Sequence, residues 1–158
     1  MAHDQDAQAM RLPRPDPALK RLERFVGAWN VTGRTLGSEE DNVSGRFTFE
    51  WLPGGFFLQQ RTDLNFAGYE VKGLEVIGYD PATGKFPSTV YSNMAGVPVP
   101  YEYDVQGDQV TIRTELNGGA TYTGSFSPDG KSGSGGWRPD SGAGPGNIAY
   151  DITVTRAG

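Results

Sequence analysis

The chain has no cysteine in its 158 residues. That absence removes disulfides, thiolate metal sites and cysteine nucleophiles together, and it fits a reducing compartment. Histidine is almost absent too: the one copy, His3, stands in a polar N-terminal stretch. With no G-x-S-x-G and one histidine, a Ser-His-Asp triad has no members to assemble. Zinc and haem likewise lack ligands, so neither metal nor cofactor is expected. Positive charge is scarce: fourteen Lys and Arg stand against nineteen Asp and Glu, a net charge of −5. No basic face is visible to track phosphate, and no nucleic-acid partner is expected. No apolar run approaches the length of a membrane-spanning helix, and Met1 to Asp16 lacks the apolar core of a secretion signal. The chain therefore reads as cytoplasmic, with no membrane partner. Gly130-Lys131-Ser132 ends like a phosphate-binding loop, but the earlier glycine of that motif is missing and the segment reads as a hairpin turn.

Glycine and aromatic residues are plentiful. The 23 glycines follow no triplet period, which excludes collagen. In a β-rich chain they read as turns, bulges and close strand approach. Eight Phe, seven Tyr and three Trp can line an interior even where aliphatic residues are few, because each ring covers a large area.

Two parts are expected: a disordered tail over residues 1–15, and one domain over 16–158, long enough to bury a core. Asp16-Pro17 is an N-cap followed by proline at the first helical position. It predicts a short helix over Ala18 to Arg24, with Leu19 and Leu22 on one side, able to plug one end of a barrel. From Phe25 the period changes to two. Phe25, Gly27, Trp29, Val31 and Gly33 share a face, as do Val43, Gly45, Phe47, Phe49 and Trp51. The same holds for Tyr101, Tyr103 and Val105; for Val110, Ile112, Thr114 and Leu116; for Ala120, Tyr122, Gly124 and Phe126; and for Ile148, Tyr150, Ile152, Val154 and Arg156. Three strands, over 56–63, 71–79 and 86–94, leave their inward phase open, the first because Phe56 and Phe57 are adjacent; with Leu58 inward, Gln60 is inward as well.

Turn signals separate these runs, so sequence neighbours should be antiparallel neighbours in space. About ten strands in an up-and-down meander close into a single antiparallel β-barrel with room for one small ligand. A Greek-key sandwich is the alternative. Trp29 at the start and Arg156 at the end form the expected barrel-closing pair, the cation lying over the indole face.

The aromatic residues Trp51, Tyr101, Tyr103, Tyr122, Trp137 and Tyr150 form the expected lining, since buried Tyr hydroxyls and Trp amines need polar partners that a lumen can supply. Gln60, Ser92, Asn93 and Glu75 are candidate polar anchors, and Met94 completes the ligand-binding set. Glu75 and Tyr101 are the catalytic candidates: if Glu75 points inward, burial among rings should raise its pKa and leave it able to act as acid or base. The loops Ala95 to Pro100 and Pro139 to Asn147 should frame the mouth.

Four segments together carry a family likeness: Phe25-Val26-Gly27-Ala28-Trp29, Gly73 to Asp80 with its Gly78-Tyr79-Asp80 end, Ser88 to Met94, and Ile152 to Arg156. From about residue 17 onward the chain resembles a bacterial family of uncharacterised lipocalin-like domains, related to the calycins: lipocalins, fatty-acid-binding proteins and nitrobindins. The resemblance implies a lipocalin-like barrel and no settled activity. Val90 and Ser92 stand where that pattern often has Trp and Asp, which would reshape the pocket. A nitrobindin-like haem site needs an axial histidine, and His3 in the tail does not supply one.

The leading expectation is a binder of a small hydrophobic or amphipathic molecule. The first alternative is a cofactor-free cyclase or isomerase acting on a polyene or polyketide held in the lumen. The second is a structural or interaction module with a filled core. A homodimer built on barrel walls is compatible with each.

Overall fold

A computed structural model of the chain describes residues 12–141 and 146–158. Most of the expected tail, His3 included, lies outside the described residues, as do positions 142–145 of the glycine-rich loop; residues 12–16 are exposed and have no regular secondary structure.

The N-terminal helix is a 3₁₀ helix, Pro17–Phe25, where Asp16 Oδ1 accepts from the Ala18 amide at 2.9 Å. Its tight winding suits the sequence. At three residues per turn, positions three apart fall on one line, and Leu19, Leu22 and Phe25 are its buried residues. Phe25 thus closes the helix rather than opening the first strand.

Ten strands follow: β1 (Gly27–Thr35), β2 (Val43–Trp51), β3 (Leu58–Phe66), β4 (Tyr69–Ile77), β5 (Phe86–Ser92), β6 (Val99–Gln106), β7 (Gln109–Thr114), β8 (Ala120–Phe126), β9 (Ser132–Pro139) and β10 (Tyr150–Arg156). Each pairs antiparallel with its sequence neighbours, and β1 pairs with β10 to close the barrel. The sandwich alternative is thereby excluded. The hairpins use the turn chemistry that their residues permit. Between β3 and β4, Ala67 and Gly68 both take positive φ, 50° and 93°, as a two-residue turn of primed type requires.

Register settles the three open phases. Phe49 stands opposite Gln60, Gln60 opposite Glu75, and Glu75 opposite Val90. Because opposed residues share a face, Leu58, Gln60, Glu75, Ser88, Val90 and Ser92 all point inward.

The helix seals the end where β1 begins and β10 finishes. Leu19, Leu22 and Phe25 pack with Trp29, Phe49, Leu58, Ile77, Phe86 and Phe126 in the main apolar cluster. Phe25 meets Phe126 edge-on at 5.0 Å between ring centroids. A second cluster, Val31, Val43, Leu64 and Ile152, packs the wall further up.

Candidate functional site

The floor is built from both ends of the chain. The Arg156 guanidinium lies 4.2 Å from the Trp29 ring centroid. Its nitrogens donate to the carbonyls of Gly130 at 2.9 Å, Val26 at 2.7 Å and Arg24 at 2.9 Å. Trp29 Nε1 donates to the Phe25 carbonyl at 2.8 Å. Gly27 is needed here: its φ is +123°, and a Cβ on it would stand 2.9 Å from Arg156 Nη1. The G-x-W spacing thus puts the bare backbone under the cation and the indole against it.

Above this floor lies a cavity of about 540 Å³, within the range of small-molecule sites. Its two sides differ. Phe47, Ile152 and Val154 present an apolar wall from β2 and β10, while β3 to β6 present Gln60, Thr62, Glu75, Ser92, Tyr101 and Tyr103. Tyr101 and Tyr122 meet Trp137 at centroid distances of 5.7 and 5.8 Å.

Glu75 is buried, 6% exposed. Ser88 Oγ donates to its Oε2 at 2.6 Å and the Tyr103 hydroxyl to its Oε1 at 2.8 Å. Burial raises its pKa to about 7, and the bonds from Ser88 and Tyr103 hold the shift back. Burial and the neighbouring Glu75 charge raise the Tyr101 pKa and carry that of Tyr103 well above the usual range. Burial lifts Tyr122 to about 12 and raises Tyr150 as well. The phenols therefore stay protonated near neutral pH, and Glu75 is the group that titrates there.

Among the described residues no fully buried side-chain polar atom lacks a partner. The Gln60 amide and the Tyr101, Tyr122 and Tyr150 hydroxyls bond to no other described side chain or backbone group, so they open onto the cavity, which all four residues line. A guest that hydrogen-bonds can meet them there. Among the described residues no three His, Cys, Asp or Glu side chains converge. None of the described helices is long and apolar enough to cross a membrane.

Residues 14–132 match the family described as a protein of unknown function (DUF1579). The chain belongs to the DUF1579 family. Among curated proteins none matches it. Among solved structures it is similar to the crystal structure of Rv2717c from M. tuberculosis, with a TM-score of 0.59 and 14% identity, covering 91% of this chain and 99% of that one. At that identity the likeness concerns the fold alone.

In this DUF1579 chain, Gln60, Ser92, Met94, Tyr101, Tyr103, Tyr122, Trp137 and Tyr150 all line the cavity, with Met94 at the rim, 55% exposed. Trp51 does not line it. It packs under the barrel against the main cluster, and its Nε1 donates to Glu23 Oε2 at 2.8 Å. Asn93 is no anchor either: it bridges β4 and β5 at the surface, donating to the Glu70 carbonyl and accepting from the Lys72 amide. Ser88, which holds Glu75, escaped sequence reasoning. The Asp80-to-Gly84 hairpin loop was its one signal, because a tight loop there places Ser88 opposite Ile77, two residues from Glu75. Parts of both expected mouth loops reach the cavity, through Ala95, Val99, Gly146 and Asn147. The β3–β4 turn and the Leu116–Gly118 3₁₀ turn add Ala67 and Asn117.

Proposed function

We propose that this barrel is a lipocalin-like, cytoplasmic binder of a small, partly apolar molecule carrying at least one hydrogen-bonding group. The observation that carries this reading is the mixed lining of the cavity: rings and aliphatic chains, interrupted by the Gln60 amide and the Tyr101, Tyr122 and Tyr150 hydroxyls, which bond to no other described residue. A lumen of about 540 Å³ also runs against a filled interaction module. The test is native mass spectrometry of freshly purified protein, with a neutral hydrophobic dye titrated in parallel. The expected result is a co-purified small molecule released on denaturation, or saturable dye binding. Absence of both refutes the proposal. The same spectrum reads whether two copies associate.

A second reading has one observation in its favour, the near-neutral pKa of Glu75. Such a carboxyl can take and return a proton at neutral pH. The Tyr101 hydroxyl would polarise a carbonyl, and the lumen would hold a flexible polyene or polyketide in one shape. As a cofactor-free cyclase or isomerase, the protein would convert the co-purified molecule to an isomer of equal mass. Conversion should follow the ionisation of Glu75 and stop in Glu75→Gln. Conversion unaffected by that substitution would remove the reading.

A further inference from the structure

The charge inventory of the lumen narrows the ligand beyond "partly apolar". Among the described residues lining the cavity, Glu75 is the one charged side chain; no Lys or Arg is present. Arg156, at the floor, is committed to three backbone carbonyls. An anionic headgroup, such as a fatty-acid carboxylate, would meet no counter-ion and one like charge.

Glu75 itself is held by two neutral hydroxyl donors, from Ser88 and Tyr103. Each carboxylate oxygen accepts one bond from these partners and retains capacity for another. Buried carboxylates are ordinarily paired with a cation, and none of the ion pairs among the described residues involves Glu75. Gln60 stands directly across from it in register, and the Gln60 carbonyl and the Tyr101 hydroxyl supply further acceptors. Tyr101 feels the Glu75 charge, and its ring and that of Tyr122 pack on Trp137 in the same lumen; aromatic faces attract cations most strongly where water is excluded.

We infer that the ligand is an amphipathic organic amine, its ammonium group paired with Glu75 and its apolar body laid among the rings and against the β2–β10 wall. This inference rests on the lumen-binding reading and gives it a charge.

The test uses the full chain and three probes of matched shape: tryptamine, tryptophol and indolepropionate, which are cationic, neutral and anionic. Each competes with the neutral dye N-phenyl-naphthylamine, followed by dye fluorescence. Tryptamine should displace dye at a concentration at least about tenfold below tryptophol, the worth of one charge-assisted hydrogen bond, with indolepropionate weakest. In Glu75→Gln, which keeps the shape, the amine-to-alcohol ratio should collapse toward one.

The pH dependence is a second readout that needs no variant. Tyr101 and Tyr103 on β6 feel the Glu75 charge, and they, Tyr122 on β8 and Tyr150 on β10 all have raised pKa values. Only Glu75 therefore changes charge in the lumen near neutrality, and the amine preference should fade as pH drops below about 7. An amine no better than the alcohol overturns the inference, as does a preference that survives Glu75→Gln or acidification. Failure of the dye itself to bind overturns the lumen reading beneath it, so the two failures are distinguishable.

Discussion

Replacing Arg156 by Met tests the floor. The substitution keeps an unbranched apolar stem over Trp29 and removes the guanidinium, which donates to three backbone carbonyls and covers the indole at 4.2 Å. A hydrogen bond from a charged donor contributes about 1.5–3 kcal/mol. These carbonyls are only half-buried, so water recovers part of each bond. The cation–π contact adds about 0.5–1 kcal/mol at such a site. Together the loss should be about 3–4 kcal/mol, a large share of the stability of an ordinary domain. For a chain of this length that lowers the melting temperature by roughly 6–16 °C. Arg156→Lys keeps the charge but reaches fewer carbonyls, and should recover about a third of the loss. Thermal and urea unfolding, followed by tryptophan fluorescence and circular dichroism, measure both. Arg156 does not line the cavity, so dye affinity in the folded Arg156→Met protein should stay within about twofold of wild type. A melting temperature within about 2 °C of wild type would refute the assignment of the pair as the barrel's closure. Lost affinity at undiminished stability would make Arg156 a ligand contact instead.

Three further outcomes follow from the geometry. Between its ordinary pKa of 4.5 and its folded value of about 7, Glu75 holds a proton in the folded chain that the unfolded chain has released. Stability therefore falls as pH rises through that window, by about 3 kcal/mol in total. Urea midpoints compared at about pH 5 and about pH 8 should show this fall in wild type and not in Glu75→Gln; parallel lines would contradict it. Val90→Trp places a ring in the lumen beside Glu75, and should abolish dye binding while the circular dichroism spectrum is retained. Trp51→Phe should cost about 1 kcal/mol for the lost bond to Glu23 and leave ligand affinity unchanged, because Trp51 sits outside the lumen.

The sequence was legible where one face of a strand is apolar. The alternation in β1, β2, β6, β7, β8 and β10 is enough to place Tyr101, Tyr122 and Tyr150 inside, and short turns give the meander its order. It stayed opaque over β3, β4 and β5. Those strands carry the polar side of the cavity, so Gln60, Thr62, Glu75, Ser88 and Ser92 put hydrogen-bonding groups where the inward pattern calls for apolar ones. The phase reading failed at the site because the site departs from the pattern that makes phase readable. Register carries the information instead: once Phe49 is inward, pairing forces Gln60, then Glu75, then Val90 inward in turn. Trp51 was misplaced for a different reason. It has the inward phase of β2, but it stands at the strand's end, below the floor, where the helix covers it. Alternation gives the face of a residue and not its height along the barrel axis.

Height and glycine together account for how an interior so rich in rings keeps an open lumen. Gly124 and Gly135 are opposite one another on β8 and β9, and both point inward. A Cβ on either would stand 2.5 or 2.6 Å from the Tyr122 hydroxyl oxygen. The phenol therefore lies flat along the wall, in the space that two side chains would otherwise take, instead of reaching across the barrel. Gly133, paired with Phe126, thins the same wall one step lower. Below that level the wall is lined by rings, and Phe25, Phe49 and Phe126 fill the barrel against the helix. The packing thus divides along the axis into a solid floor of interlocking rings and an upper room cleared by glycine. Glu75 sits at the boundary, deep enough to lose its water yet still facing the open space. A Cβ at position 124 or 135 would also meet the backbone of the paired strand, Ser134 O at 2.7 Å or Thr123 O at 2.5 Å, so a larger residue there would displace Tyr122 and force β8 and β9 apart. The glycines of β8 and β9 therefore determine whether the barrel can hold a guest.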